Sequence, residues 1–310
     1  MRMKAAAVCQ RLCALADAGT RSGAVHSVFD HAANLALDGR EGLVGLIAAD
    51  RSLTPYAVSV RLDEPFSQAG ICAGMTALLT DGAVDIPEAG ARICFSAAKR
   101  VDLSVDAVPI AERAPRPRTR LPVLRSVLQS GDASAGLSPL VTGAETNVYA
   151  DFLRPRVRAL VEAVAKVDGR DAALAAERLA GCGPGLTPSS DDLLTGYLAT
   201  VRVLARAGFG PDARAFLPAL AARAAAKTNR VSATFLLQSG EGLVNEWFLT
   251  LLRTIFSNAD DGAVERAAKR AASIGSTSGG DMLTGMALAI YHHDGGINSD
   301  STGNQEKCLL

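Results

Sequence analysis

The chain has 310 residues, of which 48% are apolar and 21% charged, with 32 Lys and Arg balanced by 32 Asp and Glu. That length accommodates about two domains with sizeable cores, and the composition is that of a soluble globular protein. The charge balance provides no net field to draw nucleic acid or an acidic membrane surface, and no apolar run approaches the roughly 18 residues of a spanning helix.

The opening "MRMKAAAVCQRLCALADAG" imitates a secretory leader until Gln10 and Arg11 interrupt it, so an amphipathic first helix is expected. Residues 24–110 favour strands. "GLVGLIA" (42–48), "YAVSVRL" (56–62), "MTALLTDGAVDI" (75–86) and "ARICFS" (91–96) are short and rich in Val, Ile and Leu. Asp-Gly turn signals stand at Asp38-Gly39 and Asp81-Gly82. No helix-length pattern intervenes, which points to an antiparallel sheet or small barrel rather than βαβ units.

"ERAPRPRTRLP" (112–122) reads as an extended, solvated Pro/Arg linker. Beyond it the period becomes helical, with helices expected near 156–167, 171–180, 190–207, 212–227, 231–239, 243–257, 262–273 and 279–291. Residues 292–310 are polar and read as a disordered tail, with His292 and His293 at a fraying helix end. The expected fold is therefore α+β: a mostly β domain over 1–111 with a leading helix, then an all-α domain over 123–291. Six cysteines, at 9, 13, 72, 94, 182 and 308, include no C-x-x-C pair and no metal-ligand spacing. Reduced thiols, a cytoplasmic location, no cofactor and no metal are the expectations.

The feature that carries chemistry is a repeat. "GCGPGLTPSSDDLLTG" (181–196) and "STSGGDMLTG" (276–285) share Ser-x-x-Asp-x-Leu-Thr-Gly at a constant offset of 89. Ser189 with Asp192, and Ser278 with Asp281, match the Ser-x-x-Asp capping pattern of a helix start. Upstream glycines free the backbone to approach a ligand, and the unsatisfied amides of a helix N-terminus favour an anion. No Lys follows either glycine run and no strand precedes it, so neither a P-loop nor a Rossmann turn is present.

On this reading Gly183, Gly185, Thr187, Ser189, Ser278 and Gly279 contact a small anion through N–H and hydroxyl groups. Asp192 and Asp281 cap and orient the helices, and Asp191, in the catalytic position, accepts from ligand N–H groups. A ligand with a carboxylate at one end and N–H donors at the other, such as a ureido or carbamoyl compound, satisfies both halves. Lys227 is either an anion contact or an exposed cap. Cys182 reads as a small thiol packing the turn, and no residue is a convincing nucleophile. Positioning and charge stabilisation are then left to drive the chemistry.

The glycine loop also resembles the signature of the AllH-like family, described as a subunit of oxamate carbamoyltransferase. "TNRVSATFLLQSGEG" (228–242), "IGSTSGGDMLTGM" (274–286) and "AVHSVFDHAANL" (24–35) follow the same pattern. The resemblance implies carbamoyl transfer between oxalurate and phosphate in ureide breakdown, together with acyl-CoA-synthetase-like partner subunits. It also makes His26 a ligand-contact candidate. Two other readings stand beside it. One is a non-catalytic structural or regulatory subunit whose loops dock the synthetase-like partners, and on any of these readings a homo-oligomer is open. The other is a phosphoryl-transfer enzyme whose aspartates hold Mg²⁺.

Overall fold

The structure, a computed structural model, describes residues 2–131, 136–143 and 146–294. Its contacts divide the chain into two units, Met1–Leu103 and Ser104–Leu310.

The first unit begins with β1 (Arg2–Cys9) and α1 (Gln10–Asp17). β2 (Arg21–Val28), β3 (Ala32–Leu37), β4 (Val44–Ala48) and β5 (Ala57–Val60) follow. β6 (Thr76–Thr80), β7 (Ala83–Ile86), β8 (Ala91–Cys94) and β9 (Lys99–Val101) complete the sheet. The strand order is β5-β4-β3-β2-β6-β7-β8-β1-β9, and a further β5–β1 pairing closes the sheet into a barrel. Its core holds Val8, Leu35, Leu46, Val58, Phe66, Leu79 and Ile93, and α1 adds Leu12, Cys13 and Ala16.

The α+β expectation holds, with the small barrel as its β half. Most pairings are antiparallel, while β1–β8, β1–β9 and β4–β5 are parallel. The β6–β7 hairpin turns at Asp81-Gly82, where Gly82 takes φ +73°. One expectation is corrected: residues 2–9 form a strand, and the leading helix starts only at Gln10. The Ala-rich start favours a helix locally, but β1 pairs on both edges, and those ladders outweigh a propensity of a few tenths of a kcal/mol per residue.

The second unit is helical. α2 (Leu121–Gln129), α3 (Pro139–Thr142), α4 (Val148–Ala165) and α5 (Gly169–Leu179) lead to α6 (Ser189–Ala207). α7 (Leu217–Ala225), α8 (Arg230–Gly240), α9 (Glu246–Ile255) and α10 (Asp261–Ala272) lead to α11 (Ser278–His293). No helix among the described residues is long and apolar enough to cross a membrane.

α6 and α11 form the centre of this unit. α6 is buried without a break from Ser189 to Val201, and α11 from Asp281 to Ile290. Helices buried all round belong at the middle of a bundle. They touch backbone to backbone: a Cβ on Gly196 would lie 2.1 Å from the Met282 carbonyl oxygen, and one on Gly285 2.1 Å from that of Leu193. Leu193 and Met282 are themselves 89 apart, so the repeat of the sequence becomes an exchange of contacts about an approximate two-fold axis.

Two further expectations are corrected. The 112–122 segment is not a solvated linker: Pro117–Arg120 is a 3-10 turn with Pro117 and Arg120 buried. The Arg120 guanidinium reaches Asp261 and the Ala259 carbonyl. Arg116 pairs at 2.9 Å with Asp294, whose side chain is fully buried, and the Arg118 amide also donates to that carboxylate. The segment therefore ties both ends of the unit together. At the far end, α11 continues through His293, whose Nε2 lies 2.6 Å from the buried Tyr197 hydroxyl. The rest of the expected tail, residues 295–310, lies outside the described residues.

Candidate functional site

The loop between α5 and α6 needs its glycines. Gly181, Gly183 and Gly185 take φ of +78°, +126° and +91°, where a side chain is strained. A Cβ on Gly183 would also stand 2.6 Å from the Ser189 nitrogen. Two hydrogen bonds tie Cys182 to Ser190 in the first turn of α6: the Cys182 amide donates to Ser190 Oγ, and the Ser190 amide to the Cys182 carbonyl. Asn229, the N-cap of α8, donates to the Leu186 carbonyl at 2.8 Å and holds the outer part of the loop.

Asp191 anchors this arrangement. One oxygen accepts from the Gly181 amide at 2.7 Å and from Ser190 Oγ at 3.3 Å. The other accepts from the Thr228 and Ser232 hydroxyls at 2.6 and 2.7 Å. Four internal donors saturate a carboxylate that is 1% exposed. The expected role of Asp191, accepting N–H groups from a ligand, is corrected to that of an internal anchor.

The two repeats meet. Thr187 Oγ1 lies 3.0 Å from Ser278 Oγ, which brings the start of α11 against the loop that opens α6. The capping-box reading of Asp192 and Asp281 does not hold. Pro188 and Thr277 are the N-caps, and neither helix has a side-chain cap. By contrast α4, α5, α8, α9 and α10 are capped by Asn or Asp side chains. Ser189 and Ser278 sit one residue too far into their helices to cap them. Each instead acts on the acid of the other repeat, Ser278 on Asp192 and Ser189 on Asp281.

Burial dominates both acids. Asp192 is pushed up to about 8 by loss of solvent, further raised by the charges of Asp281 and Asp191 and opposed by the Ser278 and Thr187 hydroxyls. Asp281 is pushed up to about 7 by burial, opposed by the Leu137 amide and the Ser189 and Thr277 hydroxyls. The Leu137 N–H donates to Asp281 Oδ1 at 2.6 Å. Asp192 Oδ2, Asp281 Oδ2 and Ser189 Oγ are buried and have no hydrogen-bond partner among the described residues. Ser189 therefore influences Asp281 electrostatically without a bond of regular geometry. Asp281 also lines a cavity of about 70 Å³ with Gly136, Ser138, Thr277 and Gly280.

The remaining candidates are dispersed or committed. Gly279 gives its amide to the Ile274 carbonyl, and a Cβ there would meet the Ala271 carbonyl at 2.2 Å. Its expected anion contact is corrected to a packing role that seats α11 on the end of α10. Gly185 is exposed, with no atom near its missing Cβ. Lys227 is half exposed and pairs with Glu177 at 3.2 Å. His26 is exposed on β2 of the first unit, its Nδ1 3.2 Å from Ser27 Oγ. Burial raises the Cys182 thiol, which opposes nucleophilic use. Among the described residues no three His, Cys, Asp or Glu gather as metal ligands.

Sequence reasoning missed Thr228, Ser232 and the Leu137 amide. Thr228 and Ser232 flank the N-cap Asn229 in "TNRVS", a polar cluster that marks a helix start without naming its partner. Nothing local signals Leu137, which lies 144 residues from the carboxylate it serves.

Two family models match the chain: oxamate carbamoyltransferase subunit AllH over residues 179–290 and the AllH family N-terminal domain over residues 4–101. The first covers both glycine loops and the second nearly the whole barrel. No curated protein and no solved structure matches.

Proposed function

The chain belongs to the AllH family, described as a subunit of oxamate carbamoyltransferase, and from that premise we propose that its paired helix starts bind the small oxyanion of a carbamoyl-transfer reaction. The observation that carries the reading is the 3.0 Å approach of Thr187 and Ser278, which brings together two helix N-termini that lack side-chain caps. Each end contributes about half a positive charge, and their first-turn amides are ready donors. A carboxylate or phosphate seated there meets the Thr187, Ser189 and Ser278 hydroxyls and the backbone of Gly183 and Gly185.

The reaction this site serves moves a carbamoyl group between oxalurate and phosphate. The bond from carbamoyl carbon to nitrogen breaks as a bond to a phosphate oxygen forms, and the departing nitrogen takes up a proton to leave oxamate. No covalent enzyme intermediate is needed. Holding both reactants in line and stabilising the developing oxygen charge supply the rate. Synthetase-like partner subunits in the cytoplasm complete the enzyme. Lys227 would contact ligand only at the periphery of this scheme.

A docking role for the loop is the second reading, favoured by Leu186, whose side chain is 52% exposed on the loop itself. The purified chain, alone and with its partner subunits, is assayed for carbamoyl phosphate formed from oxalurate and phosphate. Thr187→Val and Ser278→Ala should each raise the KM for an anionic substrate at least about tenfold, the value of one lost charge-assisted hydrogen bond, with melting unchanged. Wild-type kinetics in both variants, with loss of activity only on Leu186→Ser through failed subunit binding, would replace the anion site by the docking role.

A further inference from the structure

Asp192 and Asp281 present a difficulty for any anion at the paired helix starts. Each is an acid in the first turn of its helix, so the site that should attract an anion contains two carboxyl groups. The groups acting on Asp192 are Asp281 from α11, Asp191 from its own helix, and the Ser278 and Thr187 hydroxyls. Those acting on Asp281 are the Leu137 amide and the Ser189 and Thr277 hydroxyls. None of these is a cation. Two ionised carboxylates here would be buried without a counter-charge, which is strongly unfavourable.

The unpartnered oxygens supply a resolution. Asp281 Oδ1 is taken by the Leu137 amide while its Oδ2 has no partner, and Asp192 Oδ2 is in the same condition. Both residues are more than nine-tenths buried. Asp281 also lines the 70 Å³ cavity on the α2 side of α11, beside Thr277 and Ser138, which no residue of α6 or its loop lines. A neutral carboxyl has a hydrogen to give from that oxygen, and a carboxylate has none.

We propose that Asp192 and Asp281 are proton-carrying binding residues that, as neutral acids, donate hydrogen bonds from Oδ2 to an oxyanion held between the two helix starts, so that binding takes up a proton. The proposal rests on the anion-site reading above and adds the protonation state on which that site depends. Burial favours the protonated form of both acids, Asp192 pushed up to about 8 and Asp281 to about 7, so the pair carries less negative charge near neutral pH than two free aspartates would. A bound anion favours the neutral acid further and draws in the missing proton.

The test is titration calorimetry of the full chain with oxamate and, separately, sulfate, neither of which changes charge between pH 6 and 9. Repetition in buffers of different ionisation enthalpy reads the proton directly. The expected result is proton uptake with either probe and a Kd that rises toward tenfold per pH unit between about pH 7 and 8 and toward a hundredfold per unit above pH 8, the slopes of one and then two linked protons. Preference for oxamate identifies a carboxylate ligand, and preference for sulfate a tetrahedral one. Asp192→Asn and Asp281→Asn keep a donor that does not titrate, so binding should persist with a flatter pH profile. The alanine variants should lose binding, with thermal melting as the control for folding. Tight but pH-independent binding by the wild type overturns the proton while leaving the anion site standing. Tighter binding as pH rises overturns it too, because ionised acids would then be accepting from the ligand. A pH profile unchanged in both asparagine variants assigns the proton elsewhere. No binding of either probe at any pH overturns the anion site and this proposal with it.

Discussion

Gly285→Ala is the sharpest structural perturbation available. The added methyl would lie 2.1 Å from the Leu193 carbonyl oxygen and 2.8 Å from the Tyr197 nitrogen. Both obstacles are backbone of a buried helix, so no rotamer change relieves them, and α6 and α11 must part along their shared buried face. Overpacking that side chains can absorb costs ~1–3 kcal/mol, and a backbone obstacle puts this site at the upper end or beyond. Alanine returns about 1 kcal/mol of helix propensity, for a net loss of about 2 kcal/mol or more. Gly280→Ala on the same helix is the control: no atom lies within 4 Å of its missing Cβ, so the propensity gain acts alone. The two variants should differ by about 3 kcal/mol, which at a urea slope of ~1–3 kcal/mol/M separates their midpoints by about 1 M or more. Trp247, the single tryptophan, lies on α9 and reports the helical unit by fluorescence. Equal midpoints would refute the close approach of the two helices.

Asp192 and Asp281 hold protons in the folded state that the unfolded chain releases near 3.8, so their contribution makes stability fall as pH rises from about 4 to 8, then level off. His293 has the opposite sign: burial lowers it to about 4, so its contribution is lost as pH falls below 6.5. The decline should therefore be cleanest between pH 6.5 and 8, and Asp192→Asn should raise the urea midpoint at pH 8.5 but not at pH 4. A midpoint unaffected at pH 8.5 would show that Asp192 is ionised at little cost. Asp191→Ala leaves the Gly181 amide and the Thr228 and Ser232 hydroxyls without their acceptor and should cost several kcal/mol. It should also open the 181–187 loop to protease, and a loss below about 1 kcal/mol would count against the anchor. Cys182 should react with iodoacetamide more slowly than the exposed Cys72, read by mass spectrometry, because burial holds its thiol protonated. Faster labelling of Cys182 would return it to the list of nucleophiles.

The helices from α4 onward were legible because a 3.6-residue period survives whatever packs against it, with Asn or Asp caps marking the starts of α5, α8, α9 and α10, while α4 begins eight residues before the expected 156. The strands of β4 to β8 showed equally well through Val, Ile and Leu runs between turn residues. β1 did not, since its alanines favour a helix and only pairing to β5, β8 and β9 makes it a strand. In the site, the repeat at offset 89 was readable from spacing. The roles of the aspartates were not. Ser-x-x-Asp has the spacing of a cap, but the N-cap falls one residue earlier, at Pro188 and Thr277, and each serine acts on the other helix's acid. Asp191 and Asp192 are adjacent and look equivalent, yet a one-residue step around the helix gives one four donors and the other an unpartnered oxygen. Arg116 and Arg120 likewise looked like linker charges because Asp294 and Asp261 are far along the chain.

The central claim is that two helix starts, 89 residues apart in sequence, make one oxyanion site. A crystal of the chain soaked in selenate, with anomalous data collected at the selenium edge, tests it most directly. The account predicts one strong peak within hydrogen-bond distance of both the Thr187 and Ser278 hydroxyls, lost in a Thr187→Val, Ser278→Ala double variant that still melts like the wild type. Separate peaks at the two loops, or selenate bound only at surface arginines, would contradict it.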